Sequence, residues 1–311
     1  MFGIIEQIYC NFNKFYSYHI RINFLLLITS LLFCNCAGFL ASQMVDPIEG
    51  GEIHKITSED QIIYYYTVGD KKNPPIIFLH GILAFTEAYS ELIEGLSEKY
   101  FVVGIDLRGH GRSSVEPMSF SFKDISDDVI KVVGKLSIDS FYLVGHSAGG
   151  FLALELSKNY PARVIKMVSI ASLYNSEGIN FHEQNDYLTK GGFKDNKNEN
   201  KSYIINIFDN AYERLGEKEK FERTKAIMAS HGEIMYPSFS DDEIKNIHTP
   251  VLVIVAENDT RIRPNHTIKM EKLLPNSNLL IVEKAHHFEI TNKKKFIRIL
   301  CNEIFDFFQD V

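Results

Sequence analysis

The chain has 311 residues, 45% of them hydrophobic, and a formal net charge of −7. That much apolar residue buries a substantial core, fits one large α/β domain with an inserted subdomain, and excludes repeat and disordered architectures. The acidic balance leaves no basic footprint for nucleic acid, and neither a glycine-rich dinucleotide fingerprint after a strand nor a P-loop supports a nucleotide cofactor.

Residues 1–45 stand apart. Ile22–Leu40 runs for nineteen residues without a charge, after Lys14 and Arg21 and before Asp46, Glu49 and Glu52. This length and charge order fit an export signal or membrane anchor whose amino end stays in the cytoplasm. The segment also resembles a lipoprotein signal with Cys36 as the lipidated residue, although Phe33, Cys34 and Asn35 depart from its small-residue box. The expectation is an exported, membrane-associated protein; the alternative is a buried amino-terminal helix in a cytoplasmic one. Cys10, Cys34 and Cys36 fall in this region and only Cys301 lies beyond it, which leaves no disulfide framework. No second cysteine pair or spaced histidine pair completes a metal site around Cys34 and Cys36.

Residues 46–311 read as the folded domain. After Gly51, two β-like runs separated by a polar turn predict the antiparallel edge of a larger sheet. Strands are then predicted at Ile76–Leu79, Phe101–Ile105, Phe141–Val144, Val164–Ile170, Val251–Ala256 and Leu279–Val282. Helices are predicted at Ala88–Lys99 and Ile125–Leu136, with a last one from about Lys293 to Gln309, for which Lys293, Lys294 and Lys295 make a solvated start. Such alternation implies a mainly parallel sheet with helices on both faces. The break at about 173–240 holds the polar run "KGGFKDNKNENK" and helix-like segments at Tyr203–Leu215 and Lys218–Ala229, and reads as a cap over the strand ends. Its apolar residues Phe181, Tyr187, Phe208 and Met228 either line a pocket or pack as cap core.

Ser147 stands at the junction of a strand and a helix inside Gly145-His146-Ser147-Ala148-Gly149, which matches G-x-S-x-G. Small neighbours let strand and helix approach, and the serine takes a strained conformation that lifts its hydroxyl above the sheet edge. The first amides of the new helix then point beside that hydroxyl, where they can stabilise an oxyanion. Two further strand ends supply partners for a nucleophilic serine. Asp259 follows Val251–Ala256 in "ENDTRIRP", and His286 and His287 follow Leu279–Val282 in "EKAHHFE". A nucleophilic serine needs a histidine base and a carboxylate that orients it, and these strand ends offer both. Arg261 and Arg263, just past the acid, are either exposed loop residues or attractors of a carboxylate.

The chain resembles the α/β-hydrolase superfamily through "IIFLHGILAF", "VVGIDLRGHGRSS", "LVGHSAGG", "TPVLVIVAENDTRIRP" and "EKAHHF", over roughly Gly51 to Val311. The resemblance implies an α/β-hydrolase fold with an inserted helical cap, an oxyanion hole made by the amides of Ile82 and Ala148, and supporting roles for His80 and the Asp106–Arg112 turn. It also places the base at His287, because Ala285 and Phe288 align with the ends of an Ala-Gly-His-Phe pattern and His286 takes the glycine's place. The implied reaction is hydrolysis of a small or medium carboxylic ester or a lactone through an acyl-enzyme on Ser147, with no metal or organic cofactor. A carbon–carbon bond hydrolase or lyase on the same scaffold, and a slow-turnover binding protein, are the alternatives.

Overall fold

A computed structural model of the chain describes residues 44–58, 61–115, 121–180, 203–231 and 238–310. Residues 1–43, with nearly all of the expected export or anchor segment and Cys36, lie outside them, as do Phe181 and Tyr187. Among the described residues no helix is long and apolar enough to cross a membrane.

The chain opens with β1 (Glu52–Ser58) and β2 (Gln61–Val68), then β3 (Pro75–Leu79), a 3₁₀ turn (Thr86–Tyr89), α1 (Ser90–Ser97), β4 (Phe101–Ile105) and α2 (Phe122–Lys135). It continues through β5 (Phe141–His146), α3 (Ala148–Asn159), β6 (Val164–Ile170), α4 (Tyr203–Leu215), α5 (Lys218–His231) and α6 (Asp241–Lys245). The last elements are β7 (Val251–Ala256), α7 (Pro264–Leu273), β8 (Ser277–Val282), α8 (Glu289–Asn292) and α9 (Lys294–Gln309). The eight strands form one sheet in the order β1-β2-β4-β3-β5-β6-β7-β8. β1 with β2 and β2 with β4 pair antiparallel, and every other neighbour pair is parallel. The expected mainly parallel sheet with an antiparallel edge is therefore what forms.

Strand residues alternate between two core layers because successive side chains leave opposite faces of a sheet. Ile76 and Phe78 of β3 join one layer with Leu92 of α1 and Leu300 of α9. Ile77 and Leu79 join the other with Val129 of α2, Leu152 of α3 and Met270 of α7. Phe208 and Tyr212 of α4 and Phe221 and Met228 of α5, which lie in the β6–β7 connection, pack into the first layer.

The structure differs from the predicted elements chiefly in its helices. The Ala88–Lys99 helix is a 3₁₀ turn followed by the shorter α1. Helices α6 and α7 have sequences too polar to show an apolar face, yet each has a start signal. Ser240 and Glu243 form a capping box before α6, and Pro264 opens α7.

One buried ion pair fixes the turn after β4. Arg108 Nε donates to Asp128 Oδ2 at 2.9 Å and its terminal NH₂ donates to Oδ1 at 3.0 Å, tying the turn to α2. Removing the carboxylate would take two charge-assisted bonds from a buried guanidinium. Asp128→Ala should lower stability by about 1.5–3 kcal/mol, measured by urea unfolding. A loss below about 1 kcal/mol would show that the guanidinium finds water or another partner without cost.

Candidate active site

Ser147 separates β5 from α3 and adopts φ 54° and ψ −119°, a region that side chains rarely occupy. Its hydroxyl is turned to the end of β8, where His287 lies in the loop that follows. Asp259, in the loop after β7, completes the chain. Its Oδ2 accepts from His287 Nδ1 at 2.7 Å, and the Ser147 hydroxyl donates to His287 Nε2 at 3.0 Å. Asp259 Oδ1 accepts the amides of Arg261 and Ile262 at 2.8 and 2.9 Å. All three residues are buried. Burial pushes the Asp259 carboxyl up, but the His287 ring and the two amides outweigh it and hold it below its ordinary value.

The neighbouring candidates separate cleanly. His286 is exposed, and exposed Glu257 accepts the amide of Lys284. Arg261 serves Asp259 through its backbone, and Arg263 donates to the Glu177 carbonyl at 3.2 Å. Ala148 is the first residue of α3, so its N–H has no acceptor within the helix. Gly81 lies against the serine: a β-carbon added there would be 3.3 Å from Ser147 Cβ. Ile82 and Ala148 both line a cavity that also touches His110 and Met228. Met228 thus faces the pocket, while Phe208 packs in the core, its ring centroid 6.4 Å from that of Phe288.

Residues 74–220 match the family model of the alpha/beta hydrolase fold. Over 262 residues the chain is 26% identical to a Haemophilus influenzae protein named as an esterase/lipase, covering 78% of this chain and 88% of that one. The crystal structure of a serine hydrolase from Cycloclasticus zankles is similar with a TM-score of 0.68 and 23% identity, over 84% of this chain and all of that one. A membrane phospholipase A has a TM-score of 0.67 at 16% identity, over 94% of this chain and 96% of that one. These two likenesses bear on the fold alone. The chain has the α/β-hydrolase fold.

On this α/β-hydrolase fold the triad-like chain is wrapped in a second set of polar groups. His146 Nε2 lies 2.9 Å from the His287 carbonyl oxygen, which can only accept, so Nε2 carries the proton and Nδ1 is the acceptor. The Tyr89 hydroxyl therefore donates to His146 Nδ1 at 2.9 Å and accepts the Gly81 amide at 3.1 Å. His80 Nδ1 donates to the Gly81 carbonyl at 2.8 Å, and its Nε2 accepts the Leu107 amide at 2.9 Å. Asp106 accepts the amides of Thr86 and Arg112 at 2.8 and 3.0 Å. His80 and Asp106 thus support loops, as expected. Tyr89 and His146 went unassigned in the sequence reading: the first looks like helix core, and the second is the free position of G-x-S-x-G.

Burial holds the rings of His80 and His146 well below their ordinary value near 6.5, to about 4 and about 3, with the His287 ring adding to the effect on His146. A lowered folded-state value means that below pH 6.5 the unfolded chain binds protons that the folded one refuses. The stability such a ring contributes is present above pH 6.5 and is lost as pH falls toward about 3. Burial raises Glu87 and Asp106 instead, which works in the opposite sense, so the test isolates one ring. The gap in urea midpoint between wild type and His146→Gln should shrink from about pH 7 to about pH 5. A gap independent of pH would contradict a ring held neutral.

Proposed function

We propose that the chain is a serine hydrolase that cleaves a carboxylic ester or lactone through an acyl-enzyme on Ser147. The observation that carries this reading is the continuous hydrogen-bonded chain from Ser147 Oγ through His287 to Asp259. His287 Nε2 takes the serine proton as Oγ attacks the carbonyl carbon, and the carbonyl electron pair becomes an oxyanion beside the amides of Ile82 and Ala148. Collapse expels the alkoxide, which takes the proton back from His287. Water repeats the sequence and releases the acid. Asp259 keeps the His287 proton on Nδ1 and stabilises the imidazolium.

In this reading residues 46–311 are the hydrolase domain, and the β6–β7 connection at about 173–240 is a cap whose helices α4 and α5 cover the serine side of the sheet. The ester specificity is tested with a fluorophosphonate label and a panel of esters, lactones and carbon–carbon cleavage substrates. Ser147→Ala should lose the label and about 10⁴-fold or more in kcat. His287→Ala should lose as much at saturating substrate, whereas His286→Ala, whose ring is exposed, should stay within about tenfold of wild type. Collapse in His286→Ala with activity kept in His287→Ala would reverse the assignment. Turnover confined to carbon–carbon cleavage substrates would replace the ester reading.

The uncharged segment Ile22–Leu40, with basic residues before it and acidic ones after, supports export and membrane association of this domain. Cell fractionation with mass spectrometry of the mature amino terminus should find the protein in the membrane fraction, and a lipid on Cys36 would identify the anchor. A cytoplasmic protein that keeps Met1 would defeat this proposal.

A further inference from the structure

The amide of Ile82 is aimed by the residue before it. A peptide unit is planar and trans, so the Ile82 N–H points opposite to the Gly81 carbonyl, and whatever holds Gly81 sets its direction. Two bonds hold Gly81 from either side. His80 Nδ1 donates to its carbonyl at 2.8 Å, and its own amide donates to the Tyr89 hydroxyl at 3.1 Å. The surroundings are tight: a β-carbon added to Gly81 would lie 3.2 Å from the Tyr89 hydroxyl oxygen, 3.3 Å from Ser147 Cβ and 3.4 Å from His146 Nδ1. The tyrosine oxygen therefore fills the gap between the Gly81 amide and the His146 imidazole, beside the serine.

That hydroxyl has one proton and two neighbours, and its place is set from outside the site. Tyr89 ends the 3₁₀ turn whose Thr86 amide donates to Asp106, and its ring centroid lies 5.0 Å from that of Phe78 in β3. Burial raises the phenol, which keeps its proton for His146 Nδ1 at 2.9 Å. The proton of His146 then stands on Nε2 and goes to the His287 carbonyl at 2.9 Å. Without the hydroxyl, the Gly81 amide and His146 Nδ1 become a buried donor and a buried acceptor with nothing between them. Leaving both unpaired is costly, so the gap closes and draws the Ile82 amide out of place. Resting on the acyl-enzyme reading above, we infer that the Tyr89 hydroxyl is a positioning group, a spacer that holds the oxyanion loop and the His287 loop at the separation the tetrahedral intermediate requires.

The test compares wild type with Tyr89→Phe, which keeps the ring and removes the spacer. On para-nitrophenyl butyrate kcat should fall by about 10- to 100-fold, while KM stays within about threefold. A trifluoromethyl ketone forms a tetrahedral adduct on a nucleophilic serine, so its inhibition constant should rise in step with the loss in kcat/KM. Both are measured on folded protein, with urea midpoints alongside. A hydroxyl that only stabilises the fold would lower the midpoint and leave kcat and the ketone's affinity as in wild type, and that result overturns the inference. A rise in KM with kcat unchanged overturns it too. If the phenylalanine variant fails to fold, His146→Asn cuts the link at its other end, because asparagine can accept from the tyrosine but has no atom at the place of Nε2. It should lose kcat in the same way, and wild-type kcat there overturns the inference. Fluorophosphonate labelling separates the two levels. Labelled, active wild type whose kcat survives loss of the hydroxyl strikes only this inference; folded wild type that neither labels nor turns over removes the acyl-enzyme reading and this one with it.

Discussion

The chain must leave β5 and enter α3 within one residue, and the rest of the site depends on how tightly that turn closes. A β-carbon on Gly145 would sit 2.2 Å from the Gly149 carbonyl oxygen, and one on Gly149 would sit 2.0 Å from that of Leu79. Neither position has room for a side chain. The same closeness presses the end of β3 against the first turn of α3, which is why Gly81 and Ile82 lie beside the serine. Holding a non-glycine residue in this conformation costs about 1–3 kcal/mol. The backbone bonds around Ser147 offset it: its amide donates to the Ile170 carbonyl at 2.9 Å, and its carbonyl accepts the Gly150 amide at 3.0 Å and the Ser172 hydroxyl at 2.7 Å.

Three loops meet at this turn, and the Tyr89–His146 link joins two of them without introducing a charge. Its bonds run from the Gly81 amide through the tyrosine hydroxyl and the imidazole to the His287 carbonyl. The His146 and His287 ring centroids are 4.9 Å apart. In the proposed mechanism a protonated His146 would repel the imidazolium that forms on His287 and compete for the charge of Asp259. A deeply buried ring avoids this, because removal from water disfavours its charged form. Burial here serves the electrostatics around His287 as well as the packing of the core.

The sheet was legible because β4, β6 and β7 are short apolar runs bounded by polar turns, and the structure gives them the bounds read from the sequence. The Ser-Asp-His placement was legible for the same reason, since each residue follows a recognisable strand. Choosing between His286 and His287 needed the resemblance, as adjacent residues in a loop share every local signal. Tyr89 was beyond reach. Its role comes from a contact with His146 over 57 positions, which leaves no periodicity.

The β6–β7 insert is aimed at the site by its contacts with the loops after β3 and β4. Tyr212 of α4 accepts the Gly111 amide at 2.9 Å and donates to the Ala84 carbonyl at 3.3 Å. Thr224 of α5 donates to the Gly109 carbonyl at 2.7 Å, and Lys220 donates to the carbonyls of Gly111 and Arg112 at 3.3 and 2.9 Å. Every one of these contacts reads backbone atoms of the loops after β3 and β4. Those loops are themselves held by Asp106, whose two carboxylate oxygens bind one amide from each. The insert is therefore registered to the carboxylate that holds the loops after β3 and β4. Met228 enters the cavity wall from α5 in the turn after Thr224, so its reach is set by the Thr224 anchor, and a substitution at 228 alters the volume of the cavity from the α5 side alone.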